Sequence, residues 1–287
     1  MATVKLGIVG GSGFYDMDGL TGSEEIRIET PFGDPSDAYI VGALEGIEVA
    51  FLPRHGRGHR ISPTNLNAKA NIWGFKSLGV EAIVSVSAVG SLKEEIRPLD
   101  VVVPDQFFDR TRLRATSFFD EAGLVVHAGM AEPFCPALSA LVAEAATEAG
   151  ASVHRGGAYL CIEGPQFSTV AESHAFRGWG MDIIGMTAVP EVRMAREAEM
   201  HYATFAMATD YDVWKGEPVT VEMVIANLSK NVEMGKSAVR LLARKLNDLE
   251  DGCGCRNALE NAIMSDTSSI PPELKKKFNL LIGKYVS

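Results

Sequence analysis

The chain has 287 residues, 27 Lys and Arg against 37 Asp and Glu, a formal net charge of −10, and 46% hydrophobic residues. This composition disfavours disorder, collagen and coiled coil, and a chain of this length buries a core without a metal or a disulfide scaffold. The acidic balance argues against nucleic acid as a partner, no apolar run reaches the roughly 18 residues of a membrane helix, and MATVKLGIVGGSG lacks a signal-peptide pattern, so a cytoplasmic protein is expected.

In chain order, Val4 to Gly10 reads as a buried strand ending in glycines. Tyr39–Ala43 and Ile47–Leu52 flank Leu44-Glu45-Gly46 as a β-hairpin. Asn65 to Leu78 reads as a helix stopped at Gly79, Ala82 to Ser87 as a buried strand, and Asp100 to Pro104 as another. A helix is expected over Pro136 to Gly150, strands over Tyr159–Ile162 and Phe205–Thr209, and a long amphipathic helix over Leu228–Leu249. Asp251 to Ser287 contains no strand, and Pro271-Pro272 starts a short helix. Alternating strands and helices with an early hairpin predict an α/β fold on a mixed sheet.

Several short segments carry candidate chemistry. Gly10-Gly11-Ser12-Gly13 reads equally as a tight turn or as an anion loop, and Asp16 stands where a dinucleotide loop would have its third glycine. Pro53-Arg54-His55-Gly56-Arg57-Gly58-His59-Arg60 puts a basic island directly after a strand, suited to a small anion. Val86-Ser87-Ala88-Val89-Gly90-Ser91-Leu92 reads as a hydroxyl-rich turn, either a plain polar turn or a second anion cradle. Thr187 donates to an anion or caps the helix after it. Phe167 stacks on a flat ligand or belongs to the core. Asp210 and Asp212 follow an apolar strand and read either as two loop acids or as a pair suited to metal binding, acid–base work or recognition of N–H donors. Cys253-Gly254-Cys255 reads as two thiols in a mobile segment; zinc wants more ligands, at C-x-x-C-type spacing.

Taken together, GIVGGSGFYD, LPRHGRGHRISP, ANIWGFKSLG, VSAVGSL, DQFFDRT, MAEPFCP, IEGPQFST, ESHAFRGWGMDIIGMTAVPE and ATDYDVW resemble, in order, the S-methyl-5'-thioadenosine phosphorylases of the trimeric purine nucleoside phosphorylase superfamily. The resemblance covers about residues 4 to 245. It implies a nucleoside phosphorylase-like fold: a mixed sheet forming a distorted barrel flanked by helices, with a catalytic domain over 1–250 and residues 251–287 as its helical extension. It implies methylthioadenosine and phosphate as substrates, adenine as a product, no metal or organic cofactor, a homotrimer, and a place in purine and methionine salvage. It assigns phosphate binding to Ser12, Arg54, His55, Ser87, Ala88 and Thr187. Phe167, Met186 and His127 would meet the nucleoside, His127 from a neighbouring subunit. Asp210 would donate a proton to purine N7 and Asp212 would read the 6-amino group. A broader purine nucleoside or methylthioinosine phosphorylase is the alternative, against which the two carboxylates count.

Overall fold

The computed structural model describes residues 4–11, 17–216, 219–249 and 251–286. In chain order the strands and first helix are β1 (Leu6–Gly10), β2 (Thr21–Ile26), β3 (Tyr39–Leu44), β4 (Ile47–Pro53), α1 (Ala68–Ser77), β5 (Ala82–Ser91), β6 (Val101–Val103) and β7 (Gln106–Arg110). They are followed by α2 (Pro136–Glu148), β8 (Val153–Arg155), β9 (Ala158–Ile162), α3 (Val170–Gly178), β10 (Ile183–Gly185), α4 (Ala188–Glu197), β11 (His201–Asp210), α5 (Val221–Lys245), α6 (Pro272–Lys277) and α7 (Asn279–Ile282).

The hairpin forms as expected. Leu44 pairs with Ile47, and Glu45 and Gly46 between them both have positive φ, the two-residue turn whose twist matches antiparallel strands. Helix α1 starts three residues later than expected because Asn67 takes the N-cap, its side chain accepting from the Ala70 N–H at 3.1 Å. Helix α5 starts seven residues earlier than its apolar stripe, capped by Thr220, and ends at Lys245 rather than near Gly252.

Strands β4, β1, β5 and β11 are parallel neighbours. The segment after Ser87 is not the turn expected from its glycine and serines. Strand β5 runs on to Ser91, where Gly90 and Ser91 pair with β10. Beyond Ser85, β5 therefore leaves β1 and lies between β11 and β10, so the sheet forks at this point. One branch continues through β11 to β6 and β8, the other through β10 to β9 and β7. Only residues 104–105 separate β6 from β7, so the chain rejoins the branches and the mixed sheet curls into the expected distorted barrel.

Apolar side chains fill both faces. Leu138, Val142, Val239 and Leu242 of α2 and α5 pack on one side. Ile72 and Phe75 of α1 and Val192 and Met194 of α4 pack on the other, in one cluster with Leu259, Leu274, Phe278, Leu281 and Ile282 of the C-terminal stretch. Among the described residues, no helix is long and apolar enough to cross a membrane.

Candidate active site

The carboxyl ends of β1, β4, β5 and β11 meet at the fork, the edge where open α/β sheets hold ligands. Arg54 follows β4 directly and is 2% exposed. Its Nε donates to Glu191 Oε1 at 2.6 Å, its Nη2 to Glu191 Oε2 at 3.1 Å and to Ser85 Oγ at 2.7 Å, and its Nη1 to the Val86 carbonyl at 2.9 Å. Tyr202 donates its hydroxyl proton to Glu191 at 2.9 Å. The guanidinium is thus fixed in orientation, with the second N–H of Nη1 beyond this network.

His55 is also buried. Its Nδ1 lies 2.8 Å from the Ile61 carbonyl, which can only accept, so the proton sits on Nδ1 and Nε2 is left as the second functional atom. Burial, then the neighbouring Arg54 charge, lowers its pKa to about 4, so the ring is neutral at pH 7. Ser87 Oγ and Thr187 Oγ1 stand 3.1 Å apart, from β5 and from the start of α4. Thr187 occupies the N-cap position without making a side-chain capping bond. Its hydroxyl is therefore available to an anion rather than spent on the helix. The fork brings together Arg54, His55, Ser87, Ala88 and Thr187; Ser12 lies outside the described residues.

Across the fork, β11 bulges between Ala208 and Asp210, and the bulge turns the end of the strand toward Gly90. Asp210 accepts from Thr209 Oγ1 at 2.7 Å and from the Asp212 N–H at 2.8 Å. Asp212 has φ +50, a conformation that aspartate tolerates better than most residues. Burial pushes both carboxyls above the usual carboxylate range; at Asp210 the nearby Asp212 adds to the rise, and at Asp212 the charge of Glu172 does. No hydrogen bond of good geometry reaches buried Asp212 Oδ2 among the described residues, and the Ser173 hydroxyl is the donor that faces this carboxyl.

A cavity of about 420 Å³ lies beside these groups, lined by Ile162, Glu163, Gln166, Phe167, Glu172 and Phe176 among others. Phe167 is 42% exposed on its wall, so it is a contact surface and not core. Met186 is placed by Arg114, a residue that sequence reasoning missed. Arg114 Nη1 donates to the Met186 and Val189 carbonyls at 2.6 and 2.7 Å, and its Nε to Glu163 Oε1 at 3.0 Å. Although burial opposes it, the N–H groups of Arg112 and Leu113 and the Arg114 charge hold Glu163 at about 2. Glu191 was also missed. Its one sequence signal is a carboxylate inside the apolar run Ala188 to Val192, a place where an acid survives only with a partner. His127 is exposed, and its backbone N–H donates to the Ala262 carbonyl at 2.8 Å. It joins none of the hydrogen bonds above.

This geometry has known counterparts. A family model described as the phosphorylase superfamily matches residues 5–244, so the chain belongs to the phosphorylase superfamily. A solved methylthioadenosine phosphorylase from an antarctic soil metagenomic library superposes with a TM-score of 0.93 at 42% identity, covering 98% of this chain and 99% of that one. The S-methyl-5'-thioadenosine phosphorylase of Geobacter sulfurreducens is 52% identical over 284 residues, 98% of this chain and 99% of the relative. A Schistosoma mansoni adenosine/methylthioadenosine phosphorylase mutant, solved in complex with methylthioadenosine, has a TM-score of 0.83 at 36% identity, covering 91% of this chain and 99% of that one. Within the superfamily the chain is thus a member of the S-methyl-5'-thioadenosine phosphorylase family, which are pentosyltransferases.

Proposed function

We propose that this enzyme cleaves S-methyl-5'-thioadenosine with phosphate, giving adenine and 5-methylthioribose 1-phosphate. The observation that carries this reading is the buried pair Asp210 and Asp212 facing Gly90 at the fork, with the hydroxyls of Ser87 and Thr187 on the same strand end and helix start. The breaking bond joins C1' to purine N9, and the new bond joins C1' to a phosphate oxygen. Positive charge develops on the ribose and negative charge on the leaving base. An anion held by Arg54, His55, Ser87, Thr187, the Ala88 backbone N–H and Ser12 stabilises the first and then attacks. Asp210, whose carboxyl is raised by burial, delivers a proton to N7 and neutralises the second. Asp212 Oδ2, which no described residue bonds with good geometry, accepts from the 6-amino group. Phe167 and Met186 pack on the nucleoside. No metal or organic cofactor has a role in this scheme. His127, exposed on its own chain, completes the alkylthio end of a neighbouring subunit's site in a homotrimer. The charge and composition fit a cytoplasmic salvage enzyme.

Chromatography of free base released from methylthioadenosine, adenosine and inosine, with and without phosphate, tests this reading. Adenine released only with phosphate is expected. Release without phosphate would make the enzyme a hydrolase, and preferred release of hypoxanthine would favour the broader alternative.

A further inference from the structure

The cysteines do not behave as a mobile pair. Cys255 is 2% exposed, and the fold supplies the two further ligands that the C-x-C spacing lacked. Cys135 Sγ, Cys253 Sγ, Cys255 Sγ and a ring nitrogen of His201 all lie within 4.8 Å of one another. They come from three separate parts of the chain: the N-cap of α2, the first residue of β11 and the turns after α5.

We infer that Cys135, His201, Cys253 and Cys255 form a tetrahedral divalent-metal site, of the thiolate-rich kind that selects zinc. The dimensions fit. Zinc–sulfur bonds of about 2.3 Å and zinc–nitrogen bonds of about 2.0–2.1 Å give a tetrahedron with edges of roughly 3.5–3.8 Å. Both Cys135 Sγ and Cys253 Sγ stand 3.3 Å from His201 Nδ1, so small adjustments centre an ion between them. Gly254 holds φ +67, a left-handed conformation that turns both flanking cysteines toward one point. A Cβ there would meet nothing within 4 Å, so the glycine answers a conformational need and not a steric one.

The surroundings suit a metal thiolate. The Leu138 N–H donates to Cys135 Sγ at 3.4 Å, at a helix N-terminus that favours the thiolate. Arg196 Nη1 lies 3.6 Å from Cys255 Sγ. Three thiolates and one neutral imidazole around a divalent ion leave a net charge of −1, and this buried guanidinium compensates it. With the metal on Nδ1, the imidazole proton sits on Nε2, so the bond that Arg256 Nε now donates to Nε2 at 3.4 Å is given up and the two groups move apart. That arginine is anchored independently, through Nη2, on Glu81 at 2.8 Å.

The site is a tie and not a centre of reaction. It fastens the C-terminal stretch to the sheet just before that stretch supplies Phe278 and Leu281 to the core. The same stretch pairs Ile263 with Val126 and accepts the His127 N–H, so it braces the segment that carries His127.

The test uses the full-length enzyme, freed of any histidine tag and made in zinc-supplemented medium. Metal analysis and a thiol count in denaturant with chelator, both without added reductant, are the readouts. About one zinc per chain with four titratable thiols is expected. Cobalt(II) offered to chelator-treated, reduced enzyme should give the intense visible bands of tetrahedral thiolate coordination. C253S, at the most exposed of the four ligands, should weaken zinc binding by at least roughly tenfold. No metal with two thiols missing would show a disulfide and overturn the inference. Four thiols with no uptake of zinc or cobalt by the reduced protein would overturn it equally.

Discussion

Arg54 and Glu191 form a bidentate ion pair in which each side chain is only 2% exposed. Such a pair gives modest net stability, because desolvation offsets attraction, but removing one member leaves a buried charge unpaired. Glu191→Ala should therefore cost about 3–5 kcal/mol, lowering the melting temperature by roughly 10 °C. Glu191→Gln, which keeps an acceptor for Arg54, should lose less stability yet raise the KM for phosphate, since the guanidinium is no longer held by charge. Calorimetry with steady-state kinetics checks both. An unchanged melting temperature in Glu191→Ala would show that the pair is not a support of the site.

Gly90 is where β5 admits the two acids. A Cβ there would stand 2.9 Å from Asp210 Oδ1, 3.0 Å from Ile184 Cγ2 and 3.4 Å from Asp212 Cβ. Gly90→Ala should push Asp210 off its bonds to Thr209 and the Asp212 N–H while leaving the rest of the sheet paired. The expected result is a loss of turnover of about 10²-fold or more, as for a misplaced catalytic group, with a much smaller loss of stability. Turnover within a few-fold of the parent enzyme would mean that Asp210 is not held where this geometry puts it.

What the sequence showed and hid follows the range of the contacts. The hairpin over Tyr39–Pro53 was legible because alternation and a Glu-Gly turn are local signals. The place of Asp210 and Asp212 at the end of an apolar strand was legible, but acids there read equally as loop acids, and only the resemblance singled them out. The continuation of β5 through Gly90 was not, because a glycine among serines imitates a turn and its true partner, β10, lies about ninety residues on. Glu191 pairs with Arg54 across 137 residues, and Arg114 with the Val189 carbonyl across 75. The ligands joining Cys135 to Cys253 and Cys255 are equally distant, so no spacing rule could have joined them.

His55 makes stability depend on pH. Its folded pKa is lowered from 6.5 to about 4, so below pH 6.5 the unfolded chain takes up a proton that the folded chain refuses. Stability tied to this group is present above pH 6.5 and is lost as pH falls toward 4, by roughly 3 kcal/mol in all. Asp210 and Asp212, raised by burial, bind protons more readily in the folded state and work in the opposite direction. The comparison of the parent enzyme with His55→Gln isolates the histidine. Urea midpoints in phosphate-free buffer between pH 7 and pH 4.5 should fall more steeply for the parent. Parallel profiles would show that His55 titrates normally.

The two carboxylates divide the recognition of the purine. Asp210→Asn cannot donate a carboxyl proton, so turnover should fall by about 10²–10⁴-fold, while nucleoside affinity stays within a few-fold. Asp212→Asn replaces a pure acceptor with a side chain that also offers N–H groups. A 6-oxo group then finds a donor where it had met a carboxylate oxygen. A mismatched buried hydrogen bond costs about 1–3 kcal/mol, so the ratio of kcat/KM for inosine-type to adenosine-type nucleosides should rise by about fivefold to a hundredfold. The measurement is the pair of kcat/KM values for each variant, with melting temperatures as a control on folding. An unchanged ratio in Asp212→Asn would remove Asp212 as the reader of the 6-position, and preserved turnover in Asp210→Asn would remove Asp210 as the proton donor.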